Sequence, residues 1–273
     1  MRLPGVAILA SVTVTACSLP AFPPGGTDGG ASITTSVQFC QEYSSRECKN
    51  VATACNFPEG DCLSSRAAAC TTWAEQSETA GRVFVPANAG PCLNRVEQVF
   101  DVLKNSPAID ASDYRSIGTA CKRVFQGSAG ANEPCTVDED CEDSLICDKG
   151  LCGTAQMVRA ESACANIGEY CPGGYFCSGG SGNEIWLCTV RNSANSACDG
   201  TAPCMETLRC ASGVCTARLA IGLSCEMDSD CSSGFCEPFA QKCGTDVRFA
   251  DGTPACQAYE GNAPTSGGVD AGN

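Results

Sequence analysis

The sequence predicts an α plus small disulfide-rich fold: an N-terminal all-α domain stapled by disulfides, then tandem four-cysteine repeats with little regular structure beyond short β-hairpins. Three observations predict this fold. Cysteine accounts for 25 of the 273 residues, a density typical of a disulfide scaffold in an exported chain. Apolar residues recur with helical periodicity up to about residue 127. From residue 133 onward that periodicity stops, and recurring groups of four cysteines replace it.

Residues 1–16 are predicted to be a signal peptide. Arg2 supplies a positive start, and the apolar stretch from Gly5 to Val14 is too short to span a bilayer, which needs about 20 residues. The run Val14-Thr15-Ala16-Cys17 resembles the lipobox of bacterial lipoproteins, in which a lipid is attached to the cysteine and the signal peptide is cut just before it. The resemblance implies that Cys17 is lipidated. The alternative is an ordinary secretory peptide cut elsewhere, with Cys17 in a disulfide.

Residues 17–36 are predicted to be a lipid anchor followed by a flexible tether. Pro, Gly, Ser and Thr dominate this segment, and such a composition cannot bury enough apolar surface to offset the entropy of ordering. Ser18 stands where Asp is usual in lipoproteins retained at the inner membrane, so the resemblance implies an outer-membrane or cell-surface location. At the other end of the chain, residues 257–273 are predicted to be a disordered tail.

Composition argues against several classes of function. No basic stripe offsets the net charge of −14, so the chain is expected to repel nucleic acid. The sequence has no histidine, Gly-x-Ser-x-Gly elbow, P-loop or HExxH motif, and catalysis near neutral pH therefore lacks its usual groups. No two cysteines form the C-x2-C pair that zinc sites use. We expect no catalytic residue, no cofactor and no metal ligand among the cysteines.

Four helices are predicted within residues 37–127. A stripe of apolar residues at helical spacing indicates each one. Asp61 is a plausible N-cap of the second helix, Pro91 lies near the start of the third, and Ser112 or Asp113 could cap the fourth. The four stripes are Val37, Cys40, Cys48 and Val51; Leu63, Ala67, Cys70 and Trp73; Leu93, Val96, Phe100 and Leu103; and Tyr114, Ile117, Cys121 and Val124.

Cysteine spacing predicts how the first two helices are joined. Seven residues separate Cys40 from Cys48, and seven separate Cys62 from Cys70. Two antiparallel helices folded about residue 55 would place Cys40 opposite Cys70 and Cys48 opposite Cys62. A disulfide needs Cα atoms about 4.4–6.8 Å apart, so the two helices must pack closely.

The remaining cysteines of the helical region follow by the same logic. Cys92 and Cys121 could join the third and fourth helices. Cys55 is then left over, and Cys256 is its remaining partner. Lipidation of Cys17 leaves 24 cysteines, an even number that can pair completely. The count therefore predicts a link between the C-terminal end of the chain and the helical domain.

Four cysteine-rich repeats are predicted, at residues 133–153, 162–189, 196–216 and 223–244. The first and third have identical C-x5-C-x5-C-x4-C spacing, and the others vary from it. Each repeat has too few large apolar residues for a core, so two disulfides must take its place. Three pairings are possible in each repeat, and we adopt the interleaved one, first to third and second to fourth. It joins Cys135 to Cys147, Cys141 to Cys152, Cys164 to Cys177, Cys171 to Cys188, Cys198 to Cys210, Cys204 to Cys215, Cys225 to Cys236 and Cys231 to Cys243.

The first and fourth repeats share the motif C-x2-D-x-D-C. With the third cysteine that follows it, this motif resembles the Dickkopf-type N-terminal cysteine-rich module. The chain is also similar to cysteine-rich lipoproteins of myxobacteria, which join a helical N-terminal region to such repeats. The resemblance covers about 40% of the chain and implies a fold alone, because fold does not fix function. It is carried by Cys135, Asp138, Asp140, Cys141, Cys147, Gly150 and Cys152, and by Cys225, Asp228, Asp230, Cys231 and Cys236.

The aspartates of this motif are a weak candidate calcium site. Hard cations take several carboxylate oxygens, and Asp138 and Asp140 lie in a crowded acidic loop that Asp228 and Asp230 echo. The glycine and terminal glutamate of an EF-hand loop are absent. A solvated turn, in which the aspartates bond to their own backbone, is the favoured alternative.

The second repeat contains the main candidate for a binding patch. Its enlarged last loop contains Ile185, Trp186 and Leu187, close in sequence to Tyr175 and Phe176. A tryptophan on a disulfide frame is a typical interface anchor. The alternative is that these five residues pack against a neighbouring repeat.

We interpret the chain as a non-enzymatic cell-surface lipoprotein, attached to the membrane through its lipid anchor. Its repeats present binding surface to an unidentified protein or glycan partner, or serve a structural role in the envelope. The alternative is an enzyme or enzyme inhibitor housed in the helical domain. A cleft with converging polar groups in that domain would favour the alternative, and a filled helical core would favour the binding protein.

Overall fold

The computed structural model describes residues 33–179 and 185–261. The predicted lipidation site Cys17, nearly all of the tether and residues 262–273 of the predicted tail lie outside this part of the chain. Within it, the N-terminal region is helical, and a disulfide-rich region of short strand pairs follows. None of the described helices is both long and apolar enough to cross a membrane.

The helical domain contains α1 (Ser36–Cys55), α2 (Glu59–Thr79), α3 (Pro86–Phe100) and α4 (Ala111–Cys121). The Thr35 side chain caps α1 by accepting a hydrogen bond from the N–H of Gln38. At the far end of α1, Asn56 adopts a left-handed conformation (φ 60°), and the chain turns there into α2.

The helix starts differ from those expected. Asp110 caps α4, with its carboxylate 2.8 Å from the N–H of Ser112, so the expected cap at Ser112 or Asp113 is wrong by two or three residues. α2 begins at Glu59, two residues before Asp61. α3 begins at Pro86, which fits the first position because a helix needs no N–H there, and Pro91 therefore lies inside the helix.

The domain is not wholly helical, which corrects the all-α expectation. It also contains two short antiparallel strand pairs. They form because the segments between helices have backbone N–H and C=O groups that need hydrogen-bond partners. β1 (Val83–Phe84) pairs with β3 (Phe125–Gln126), and β2 (Ala108–Asp110) pairs with β14 (Asp246–Arg248) from the far end of the chain.

One continuous core fills this domain. Aromatic rings dominate it: Phe39 meets Trp73 at 6.0 Å and Phe125 at 6.3 Å between ring centroids, both edge to face. A second aromatic group lies toward the C-terminal strand, where Phe100 contacts Phe249 at 5.9 Å. The core therefore combines side chains from the helices with side chains that follow the last repeat.

We call residues 245–260 the C-terminal strap. It comprises β14 and the short helix α5 (Pro254–Glu260), which Thr253 caps. Val247, Phe249 and Tyr259 are fully buried in the helical core. The predicted disordered tail at residues 257–273 thus begins inside α5, and its first residues are ordered because Tyr259 is a core side chain.

The four repeats each contain one antiparallel hairpin. A parallel pair, β6 (Gln156–Met157) with β7 (Glu169–Tyr170), joins the first repeat to the second. The hairpins are β4 (Leu145–Asp148) with β5 (Leu151–Thr154), β8 (Tyr175–Ser178) with β9 (Leu187–Val190), β10 (Leu208–Ala211) with β11 (Val214–Ala217), and β12 (Cys236–Glu237) with β13 (Lys242–Cys243).

Candidate binding surface

Disulfides determine the geometry of the repeats. The structure joins twelve cysteine pairs, with Cα atoms 4.6 to 5.9 Å apart, and in each repeat the pairing is the interleaved one that we adopted among the three possible. Such a crosslinked chain is typical of a protein that folds in an oxidising environment, outside the cell or at its surface. In the helical domain the pairs are Cys40–Cys70, Cys48–Cys62, Cys92–Cys121 and Cys55–Cys256. In the repeats they are Cys135–Cys147, Cys141–Cys152, Cys164–Cys177, Cys171–Cys188, Cys198–Cys210, Cys204–Cys215, Cys225–Cys236 and Cys231–Cys243.

Sulfur atoms from three cysteines lie close together in every repeat, as they would around a metal ion. All of these sulfurs are bonded in disulfides. A disulfide offers no thiolate to a metal, because only the deprotonated thiol is a strong ligand. These clusters are therefore crosslinks rather than metal sites.

The backbone repeats the same hydrogen bond in each module. The N–H of the first cysteine donates to the carbonyl two residues before the fourth cysteine, at 2.9 to 3.0 Å. A third short strand thereby joins each hairpin. The donor and acceptor pairs are Cys135 and Gly150, Cys164 and Trp186, Cys198 and Gly213, and Cys225 and Gln241.

The aspartate pair of the first repeat organises its own loop. Asp140 accepts hydrogen bonds from the N–H groups of Thr136 and Val137, at 2.7 and 3.1 Å, and Asp138 accepts one from Cys147 at 2.8 Å. In the fourth repeat, Asp230 and Asp228 make the corresponding bonds to the N–H groups of Glu226, Met227 and Cys236. The shared motif is thus a backbone-binding turn.

The remaining oxygens of these aspartates face cations of the protein. Lys122 lies 2.7 Å from Asp138, and Arg82 lies 2.9 Å from Asp140. Asp228 pairs with Arg115 at 3.5 Å, and Asp230 with Arg209 at 3.8 Å. A calcium ion would have to displace these ammonium, guanidinium and backbone N–H donors. The described geometry therefore favours the turn over the calcium site.

Hydrogen bonds hold the pKa values of both carboxyls in the first repeat below the ordinary value. Burial alone raises the pKa of Asp138, but Lys122 and the N–H of Cys147 outweigh it. Burial likewise raises the pKa of Asp140, and the N–H groups of Thr136 and Val137 reverse that shift together with Arg82. A lowered folded-state pKa stabilises the fold above the unfolded-state pKa, and the stabilisation is lost as the pH falls through the folded value.

We expect Asp140→Ala to lower the free energy of unfolding by about 2 kcal/mol at neutral pH, since it removes hydrogen bonds to a charged acceptor. The difference should persist above about pH 4 and vanish as the pH falls through the lowered folded pKa. Urea unfolding across a pH series measures it. Asp143→Ala is the matched control, because that carboxylate is exposed and its ion pair with Arg123 is long, at 3.8 Å. A melting temperature of the unchanged protein that rises with millimolar Ca²⁺ would restore the calcium interpretation.

Repeat 1 is held against the helical domain. Arg123 at the end of α4 donates to the carbonyls of Glu142 and Leu145, at 3.1 and 2.7 Å. The backbones approach so closely that a β-carbon on Gly127 would lie 2.1 Å from the carbonyl oxygen of Asp140. Position 127 therefore needs glycine, and the junction between the domain and the repeat is tight.

Repeat 4 is also held against the helical domain. Phe235 is buried in the helical core and meets Tyr114 edge to face at 6.5 Å. The guanidinium of Arg115 lies 5.7 Å from the centre of the Phe235 ring. Repeats 1 and 4, the two that carry the aspartate motif, are thus the two that rest on the helices.

Repeats 2 and 3 form the middle of the array. In the described part of the chain they make no hydrogen bond or ion pair with the helical domain, and their ion pairs to other parts of the array are with repeat 4 and with the segment between repeats 2 and 3. Glu206 of repeat 3 accepts the N–H of Gly174 at 2.9 Å and pairs with Arg191 at 3.2 Å. Because the middle repeats are held only at their ends, their outer faces are available to a partner.

The five residues of the predicted patch have different roles. Tyr175 and Phe176 lie in β8 and are half-buried in the second repeat. Ile185 is 71% exposed and Leu187 is 43% exposed. Trp186 is half-buried, with the ammonium of Lys149 from repeat 1 lying 5.3 Å from its ring centre. Ile185 and Leu187 therefore remain open to a partner, whereas Trp186 belongs to the joint between repeats 1 and 2.

Further exposed apolar side chains lie on the repeats or between them, and the sequence gives no sign of them. Ten of the thirteen exposed large apolar residues in the described chain lie between residues 157 and 227. Such residues are isolated in sequence, with no periodicity to reveal them. Isolated exposed apolar residues are common on proteins, and these ten are concentrated in less than a third of the described chain. Besides Ile185 and Leu187, they are Met157, Tyr170, Val190, Met205, Val214, Ile221, Leu223 and Met227.

The helical core contains one buried ion pair. The two Glu47 carboxylate oxygens lie 2.6 and 3.1 Å from the guanidinium of Arg66. Tyr259 of the strap donates its hydroxyl to Glu47 at 3.2 Å, and its ring lies 4.5 Å from the Arg66 guanidinium carbon. Burial, followed by the charge of Glu47, raises the pKa of Tyr259 well above its usual range. The polar groups satisfy one another and leave no opening toward solvent.

The described concavities are open and shallow. One lies at the turn between α1 and α2, around Asn56 and Phe57. Another lies where repeat 1 meets the helical domain, around Gly127 and Pro134. Neither coincides with the buried polar groups of the core. The core of the helical domain is filled by apolar and aromatic side chains.

The chain is similar to cell-cell adhesion glycoprotein 64 of Heterostelium pallidum. The two sequences are 29% identical, over 42% of this chain and 48% of that glycoprotein. The chain therefore matches about half the length of this relative. No known protein family matches the chain, and no solved structure matches it.

Proposed function

We propose that this chain is a non-enzymatic cell-surface adhesion or binding protein, and that repeats 2 and 3 present its binding surface. The observation that carries the proposal is the contrast between the ends and the middle of the array. Repeats 1 and 4 contact the helical domain through aspartates and aromatic rings, whereas in the described chain repeats 2 and 3 make no hydrogen bond or ion pair with that domain and expose apolar side chains such as Ile185 and Val214. The similarity to an adhesion glycoprotein over part of the chain supports the same function.

The proposal includes a lipid anchor at Cys17 and a tether up to residue 36. The lipobox resemblance and the composition of the tether support it. Outer-membrane placement follows from the same resemblance, and the proposal adds that the repeats face a protein or glycan partner. The helical domain acts as the platform that holds both ends of the repeat array.

Beads coated with the full-length chain should capture cells that carry the partner, and substitution on the middle repeats should remove this capture. The double substitution Tyr170→Asp/Ile185→Asp changes two side chains of repeat 2 that are 48% and 71% exposed, so it should leave folding intact. We expect captured cells to fall at least about tenfold, as expected when a partner loses its central apolar contacts. Flow cytometry of bead–cell complexes measures the effect.

The matched control is Val37→Asp/Val83→Asp. These two residues are 61% and 64% exposed but lie on the helical domain. Beads with this control should capture cells as the unchanged protein does. Equal loss of capture in both variants would assign the effect to added negative charge, and wild-type beads that capture no cells at all would contradict the proposed function.

A further inference from the structure

One cross-strand pair recurs at the same place in every repeat. The residue before the first cysteine faces the residue before the fourth across the short third strand. Neighbouring positions on a strand point to opposite faces, so these pairs lie opposite the buried cysteines. The pairs are Pro134 with Leu151, Ala163 with Leu187, Ala197 with Val214, and Ser224 with Lys242.

The first three pairs are apolar and reach the surface. Leu187 is 43% exposed and Val214 is 39% exposed, and the small residues facing them, Ala163 and Ala197, are exposed as well. Each pair combines one small and one larger aliphatic side chain, and together they form a small apolar area on the surface. We call these three pairs the apolar ladder. The fourth repeat ends the ladder with a serine and a lysine.

Negative charge is concentrated in the same part of the protein. Residues 33–127 contain 9 Lys and Arg against 10 Asp and Glu, so the helical domain is close to neutral. Residues 128–261 contain 7 Lys and Arg against 19 Asp and Glu, a net charge of −12. Nearly all of the acidity of the chain therefore lies in the repeats and the strap.

Exposed carboxylates also accompany the small member of each pair. Glu133 precedes Pro134, and Glu161 lies two residues before Ala163. In the later repeats the carboxylates lie two residues after that position. They are Asp199 in repeat 3 and Glu226 in repeat 4. Each apolar pair thus has an exposed carboxylate within two residues in sequence.

We propose that the apolar ladder binds a polypeptide whose aliphatic side chains are flanked by Lys or Arg. This inference rests on the proposed function and names the surface and the chemistry of the partner. Aliphatic side chains would cover Leu187 and Val214, and the cations would pair with the carboxylates beside the ladder. Electrostatic complementarity of this kind favours the correct partner and speeds encounter. A second copy of this chain fits poorly, because residues 128–261 of each copy carry a net charge of −12.

Binding of three synthetic peptides of equal length to the purified full-length chain tests the inference. The first alternates Leu with Lys, the second replaces Leu by Ser, and the third replaces Lys by Glu. We expect the first peptide to bind at least about tenfold more tightly than either of the others, a ratio that fluorescence anisotropy resolves. Leu187→Ser/Val214→Ser should abolish the advantage of the first peptide over the second. Val37→Ser/Val83→Ser, on the helical domain, should preserve it.

Several outcomes would overturn the inference. Equal binding of the first two peptides means that charge alone acts, and unchanged selectivity in the Leu187→Ser/Val214→Ser variant means that the ladder is not the surface. Self-association in sedimentation, lost in that variant, would assign the ladder to a second copy. Binding to phosphatidylcholine vesicles, lost in the same variant, would assign it to a membrane. Normal cell capture by beads carrying this variant would refute the ladder alone, whereas failure of wild-type beads would refute the proposed function itself.

Discussion

Glu47→Ala is expected to lower the free energy of unfolding by about 3–5 kcal/mol, the usual cost of leaving one member of a buried ion pair without its partner. Glu47 and Arg66 are both buried in the helical core and joined by two hydrogen bonds. Removal of the carboxylate would leave the guanidinium surrounded by apolar groups and the ring of Tyr259. It would also leave the Tyr259 hydroxyl without its acceptor.

Two further variants distinguish the loss of one buried charge from the loss of both buried charges and from the loss of an exposed ion pair. Glu47→Leu/Arg66→Met removes both charges, and it should be far less destabilising than Glu47→Ala because apolar replacements can substitute for a buried pair. Glu97→Ala breaks a surface pair, in which Arg46 lies 3.0 Å away, and should cost less than about 1 kcal/mol. Guanidinium unfolding followed by circular dichroism measures all three variants. A Glu47→Ala protein as stable as Glu97→Ala would contradict the buried pair.

Removal of the Cys55–Cys256 disulfide is expected to lower the free energy of unfolding by about 2–5 kcal/mol. The pair joins residues 201 apart in sequence, and a crosslink over a long loop restricts the unfolded chain most. The double substitution Cys55→Ser/Cys256→Ser avoids a free thiol. The lost stability should be concentrated in the C-terminal strap, because α5 is a helix of only seven residues that cannot persist alone.

Amide hydrogen exchange measures where that stability is lost. In the double variant, the amides of α5 should exchange faster than in the unchanged protein. The amides of α3, which a disulfide joins to α4, should keep their protection. Cys198→Ser/Cys210→Ser is the comparison, since that disulfide closes a loop of sequence separation 12 within repeat 3. Its effect should stay in repeat 3. Unchanged protection of α5 without Cys256 would mean that packing of Tyr259 alone holds the strap.

Local patterns in the sequence were sufficient to indicate the helices and the partners of Cys40 and Cys48, whereas the interleaved pairing in the repeats was one choice among three. Apolar residues at helical spacing marked the stripes that now face the core, such as Leu93, Val96 and Phe100. The cysteines are equally spaced on two adjacent antiparallel helices. The two cysteines farther from the turn therefore face each other, and so do the two nearer to it, which is how Cys40 and Cys48 meet their partners. These inferences succeed because they depend on neighbours along the chain or on simple counting.

Contacts between distant segments could not be predicted in this way. The aspartates of repeat 1 resembled a calcium loop because Arg82, 58 residues from Asp140, gives no sign of its position in the sequence. Trp186 resembled an exposed anchor because the ring meets Lys149 only once the repeats stack. The strap resembled a tail because a single turn or two of helix has no periodicity to detect. In each case, tertiary packing supplies the partner that the local pattern lacks.

The Cys55–Cys256 link also decides how the protein carries a pulling force. Repeats 2 and 3 lie inside the loop that it closes, so a partner that pulls on them loads two routes at once, one through repeat 1 and one through repeat 4. An unlinked chain extends by roughly 3.3–3.6 Å for every residue that unravels. Because the loop is closed and each repeat is crosslinked internally, the route through repeat 4 can release little slack even if the helices unfold. A load on the middle repeats is therefore shared between two paths, of which the one through repeat 4 is the shorter.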